Sequence, residues 1–194
     1  SARPSSAVHN GHTIQVDFPK GDTLTVGGVP FELVQFHLHA PSEHTLNGQR
    51  YDLEAHLVHQ NAAGQTAVVG VFMNIGDDPS ELVDDVFKNA PDMAGEETDV
   101  GVESNAKELL PGFESGHDNG TFVITRYYTY SGSLTTPPCS EPVRWIVLKD
   151  PVNVSDFSVA EMHHLVSLFP DYGGYPNNNR PVQPLNGRVI TSRG

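Results

Sequence analysis

Short alternating runs closed off by turn residues constrain this chain more than any other feature. HTIQVDF (12–18), FELVQFHLH (31–39), DLEAHLVHQ (52–60), TAVVGVFM (66–73), TFVITRYYTY (121–130) and VRWIVL (143–148) are rich in β-branched and aromatic residues. Several alternate polar with apolar side chains, as strands buried on one face must. The 18 Gly and 15 Pro lie largely between the runs, where they favour turns over long helices. Helical signals are few. Ser158 with Glu161 forms a capping box ahead of MHHLVSLF and predicts a helix near 158–168. Ser80, Asp84 and the apolar Leu82, Val83 and Phe87 predict a shorter one over 80–89. The expected fold class is mainly β, a large twisted central β-sheet with a few short surface helices.

With 194 residues, no internal repeat and no linker, the chain reads as a single domain with room for a substantial core. Its 24 acids against 11 bases set a net charge of -13, which repels phosphate, so nucleic acid and anionic membranes are excluded as partners. The acids concentrate in 77–103 and read as a solvated excursion. No apolar run approaches the ~20 residues of a membrane span, and Ser1 to Ser6 hold no signal-peptide core. A single cysteine, Cys139, has no internal partner; it is either a buried thiol or half of a pair.

Three histidines define the candidate chemistry. His37 and His39 are two apart in a strand-like run, so both imidazoles leave the same face. His56 lies in the next run, and antiparallel pairing would bring its ring to the same point. Three neutral imidazoles suit zinc, and a tetrahedral position left open marks a catalytic rather than a structural site. Gln35 and Glu54 each precede a ligand candidate by two, on the same strand face, where they can accept the other ring N–H. The other histidines read differently. His59, three after His56, falls on the opposite face and is structural. His44 reads as a hydrogen-bonding core residue, and His117, His163 and His164 as surface residues. His9 and His12 flank the turn Asn10-Gly11, and one of the two is expected to matter.

The strings NGHTIQV (10–16), QFHLHAPSEH (35–44), EAHLVH (54–59), SLTTPP (133–138), RWIVL (144–148) and NNRPVQPLNGR (178–188) together resemble the α-carbonic anhydrases, bacterial type, in the family's order and across nearly the whole chain. The resemblance implies zinc (Zn2+) on His37, His39 and His56, and reversible hydration of carbon dioxide to bicarbonate. It implies Thr135 as an orienting hydroxyl with Glu43 as its acceptor, and His12 as the proton carrier. Val58, Val68, Leu134 and Trp145 are implied as an apolar wall beside the metal, with Thr136 lining the same cavity. Gln35, Glu54 and the backbone of Asn178 correspond to acceptors behind the ligands, and His44 and Tyr130 to their supporting network.

The sequence lacks the few dozen residues that precede NGHTIQV in the family, so 1–194 reads as a family domain without its N-terminal portion. Cys139 corresponds to a cysteine paired in bacterial relatives with one in that early portion, which implies a periplasmic or secreted protein. The resemblance leaves room for a homodimer. Two other functions compete. A catalytically inactive carbonic anhydrase-like binding module would lack a ligand histidine, whereas all three are present. A structural zinc protein would need a fourth ligand, and none of suitable spacing is visible.

Overall fold

The computed structural model describes residues 6–100, 106–113 and 122–194. Among the described residues eleven strands make one sheet: β1 (Ser6–His9), β2 (Ile14–Asp17), β3 (Thr23–Val26), β4 (Val29–His39), β5 (Leu53–Gln60), β6 (Thr66–Ile75), β7 (Glu97–Thr98), β8 (Tyr127–Gly132), β9 (Val143–Leu148), β10 (Val152–Val154) and β11 (Thr191–Arg193). They run in the order β11-β8-β9-β6-β5-β4-β2-β1-β7, with β3 alongside β4 and β10 alongside β6. Pairing is antiparallel except for β6 with β9 and with β10, so the sheet is mixed. The α-helices among the described residues are α1 (Glu81–Asn89) and α2 (Asp156–Ser167), with a 3-10 turn at Ala106–Leu109. No helix among the described residues is long and apolar enough to cross a membrane.

The sheet divides the interior in two because strand residues alternate faces. On one face Phe36, Leu38, Leu57, Val69 and Ile146 join Val83, Val86, Met162 and Leu165 of the helices in the principal core. On the other, Val68, Phe72, Val143, Trp145 and Val147 form a smaller cluster, joined by Val58, Tyr130 and Leu134. The polar side chains at issue stand on this second face.

Local details depart from expectation in three places. α2 is capped by Ser155, whose hydroxyl accepts the Ser158 N–H at 3.1 Å, not by Ser158. The Ser158 hydroxyl turns instead to Asp84 of α1, 2.6 Å away, a tertiary contact that the capping pattern cannot foresee. The run 121–130 pairs only from Tyr127, because its partner β9 ends at Leu148, opposite Tyr127; Thr121 lies outside the described residues. His12 and Thr13 belong to the β1–β2 turn rather than to a strand, which begins at Ile14. The helix over 80–89 forms as expected, with the Ser80 hydroxyl accepting the Val83 N–H.

Candidate metal centre

The register of β4 and β5 assembles the site. His37 lies directly across from His56, His39 across from Glu54 and Gln35 across from Val58. A bulge between Leu33 and Gln35 resets the alternation, so Gln35, His37 and His39 all leave the second face. The three imidazole centroids lie 5.0, 5.3 and 4.6 Å apart (His37–His39, His37–His56, His39–His56). One nitrogen from each falls within 4.8 Å of the others.

Each ring has one nitrogen occupied. His37 Nδ1–H donates to Gln35 Oε1 at 2.9 Å. His39 Nδ1–H donates to the main-chain carbonyl of Asn178 at 3.4 Å. His56 Nε2–H donates to Glu54 Oε1 at 2.8 Å. These bonds assign the tautomers and leave a lone pair on His37 Nε2, His39 Nε2 and His56 Nδ1. His39 Nε2 is buried with no hydrogen-bond partner among the described residues. An orphaned buried acceptor beside two others is costly unless a cation meets it, so the donor set fits zinc. Burial and the neighbouring rings hold His37 well below the usual histidine range, and burial pushes His39 down to about 3. Both are therefore neutral and able to bind metal at neutral pH.

Glu54 anchors the far side. Burial opposes its charge, but His44 and His56 hold its carboxyl well below the usual range. Oε1 accepts from His56 and from His44 Nδ1 at 2.6 Å, and Oε2 from the backbone N–H of Glu43 (2.9 Å) and of His44 (2.8 Å). His44 Nε2 meets the Tyr130 hydroxyl at 2.7 Å. Burial lowers the pKa of His44, but Glu54 outweighs it and the net shift is upward. The group His44, Glu54 and His56 is thus a hydrogen-bonded network rather than a second metal site.

Glu43 is buried too. Burial raises its pKa, while His56, the Arg180 N–H at 2.6 Å and the Thr135 hydroxyl pull the other way. Its Oε1 stands 3.5 Å from His39 Nδ1. Val58, Val68, Leu134 and Trp145 pack together on this face, with the Trp145 ring edge-on to His56 at 4.8 Å. Thr136 is exposed, and its carbonyl caps the tight turn by accepting the Cys139 N–H. His12 is exposed on the β1–β2 turn, 6.4 Å from the Tyr172 ring. His59 is buried on the opposite face, donating from Nδ1 to Leu57 O, and there it lines a cavity of about 590 Å³, away from the imidazole cluster. That cavity holds none of the three convergent rings. His163 is half-buried and bonded to Pro176 O, His164 is exposed, and His117 lies outside the described residues.

Sequence reasoning missed several contributors. Arg180 acts through its main-chain N–H, which no residue identity betrays. The Asn178 side chain donates to His12 O at 2.9 Å and to Leu38 O at 3.1 Å, and it accepts from Ala40 N at 2.8 Å. Thr13 bonds both polar backbone groups of Leu38, between His37 and His39 of β4.

A large mixed sheet carrying three imidazoles with fixed tautomers beside an apolar wall defines a candidate metal centre. The family model for eukaryotic-type carbonic anhydrase matches residues 1–194, and the chain belongs to that enzyme family. It is 41% identical over 189 residues to a carbonic anhydrase of Klebsiella pneumoniae, covering 96% of this chain and 69% of that one. The α-carbonic anhydrase of Thermovibrio ammonificans, solved with sulfanilamide, superposes with a TM-score of 0.82 at 40% identity, covering 97% of this chain and 74% of its own. A hyperthermostable carbonic anhydrase from a hydrothermal vent chimney gives 0.84 at 40% identity, covering 100% and 79%.

Proposed function

We propose that this chain holds zinc on His37, His39 and His56 and catalyses the reversible hydration of carbon dioxide to bicarbonate and a proton. The observation that carries this is the set of three facing lone pairs, each fixed by a hydrogen bond on the other nitrogen of its ring. Zinc bound there supplies the Lewis acidity that makes water nucleophilic near neutral pH, chemistry for which carbonic anhydrase is itself the standard example.

The protein's own groups do the rest. Glu43 faces Thr135 and accepts a hydrogen bond from its hydroxyl, which fixes the direction of the Thr135 lone pairs. Val58, Val68, Leu134 and Trp145 offer an uncharged gas a dry apolar surface. His12, exposed to solvent, carries the proton to buffer. Cys139, half-buried, pairs with a cysteine outside this sequence, the arrangement of an exported protein.

Stopped-flow hydration of carbon dioxide, run beside metal analysis, tests the reading. Purified protein should contain zinc, lose activity to a chelator and regain it on adding zinc back. His39→Ala should abolish both binding and turnover. Hydration that persists after the metal is stripped would overturn it.

A further inference from the structure

The turn that carries His12 consists of Asn10, Gly11, His12 and Thr13 between β1 and β2. Asn10 Oδ1 accepts the backbone N–H groups of His12 and Thr13, each at 3.0 Å. Gly11 adopts φ +85, a conformation open to glycine and strained for other residues. Its own N–H turns back to Nδ1 of His9 at 3.3 Å. His9 is fully buried and lies outside the three-imidazole cluster.

The His9 ring sits edge-on to Phe169, 4.6 Å between centroids. Phe169 in turn meets Tyr172 at 5.3 Å, and Tyr172 faces His12 at 6.4 Å. Two routes therefore join His9 to His12: the turn itself, and a line of rings outside it.

The chemistry of the contact is specific. A backbone N–H can only donate, so His9 Nδ1 must present its lone pair and the ring proton resides on Nε2. Burial keeps the imidazole neutral against the opposing pull of Glu96 and Asp92. Nε2 is buried with no hydrogen-bond partner among the described residues. A phenyl ring could pack on Phe169 without that unspent N–H. What it would lack is the acceptor for Gly11.

We propose that His9 is a positioning residue for proton export: its acceptor nitrogen fixes the Gly11 peptide and so holds His12 in place beside Tyr172. This rests on His12 being the proton carrier. Asn178 still grips the His12 carbonyl when His9 is replaced, so the expected loss is partial and leaves the metal ligands alone.

Two substitutions in the zinc-loaded enzyme separate the ring from its acceptor. His9→Phe keeps the ring and removes the acceptor. His9→Asn keeps an acceptor, because Oδ1 of Asn occupies the same place along the side chain as Nδ1 of His. In dilute buffer, His9→Phe should lower kcat roughly fivefold, the scale of one net hydrogen bond, with little change in kcat/KM. The Gly11 amide should exchange roughly tenfold faster by NMR. His9→Asn should return both toward the parent values. In a His12→Ala background, His9→Phe should have no further effect on kcat.

Unchanged Gly11 exchange in His9→Phe overturns the proposal. So does a kcat loss that persists in the His12→Ala background, or a kcat for His9→Asn as low as that for His9→Phe. If His12→Ala alone leaves kcat at the parent level, the carrier role of His12 falls and the export role of His9 with it; Gly11 exchange then reads the positioning by itself.

Discussion

Glu54 accepts the Nε2–H of His56 at 2.8 Å, and this bond is what turns the other nitrogen of His56 toward His37 and His39. The carboxylate is saturated, with four donors on two oxygens. Glu54→Gln would place an NH2 group against donors that need an acceptor. Zinc affinity should fall about 10- to 100-fold, the usual effect of disturbing a partner of a metal ligand. Competition with a chromogenic chelator measures it.

Gly70 of β6 lies across from His56, and a methyl group built on it comes within 3.0 Å of Glu54 Oε1, with Val147 and Trp145 close behind. The backbone there is ordinary, so the restriction is one of space. Gly70→Ala should push the carboxylate off His56, weaken zinc binding and destabilise the fold by about 1–3 kcal/mol as an overpacked site. Urea unfolding and zinc titration of the same variant check both effects.

Thr135 tests the orienting role apart from metal binding. Thr135→Ala should retain zinc and lose on the order of a hundredfold in kcat/KM, the scale of deleting one aimed hydrogen-bonding group. Thr135→Ser keeps the hydroxyl and should retain most of the rate. Metal content beside stopped-flow kinetics distinguishes lost orientation from lost zinc.

Acid should loosen the chain through His59. Burial lowers its folded pKa to about 4, against 6.5 for the free side chain. Above pH 6.5 both folded and unfolded states leave it neutral, and its stabilising contribution is fully present. Between 6.5 and about 4 only the unfolded state takes up the proton, so stability is lost as pH falls, by roughly 3 kcal/mol in all. His59→Gln should flatten that part of the profile in urea unfolding of the metal-free protein across pH 4–7.

What could be read from residues alone was the part governed by periodicity. β4, β5 and β6 run for eight residues or more, long enough for alternation to declare which histidines share a face. The strands that escaped notice, β1, β3, β7, β10 and β11, are two to four residues long, too short to show a period. β3, β10 and β11 exist because the longer β4, β6 and β8 offer free hydrogen-bonding edges. The same limit applies at the site. Gln35 and Glu54 announce themselves by spacing, whereas Arg180 contributes a main-chain N–H that any residue other than proline could supply. Ser158 misled because its hydroxyl serves Asp84 across the helix pair, a contact 74 residues away in the chain.

Trp145 is the one tryptophan in the sequence, and its ring stands 4.8 Å from His56 and 4.9 Å from His44. All the indole emission of this protein therefore originates beside the three clustered imidazoles. Intrinsic fluorescence will follow zinc loading, ring protonation and site assembly during refolding without any added label.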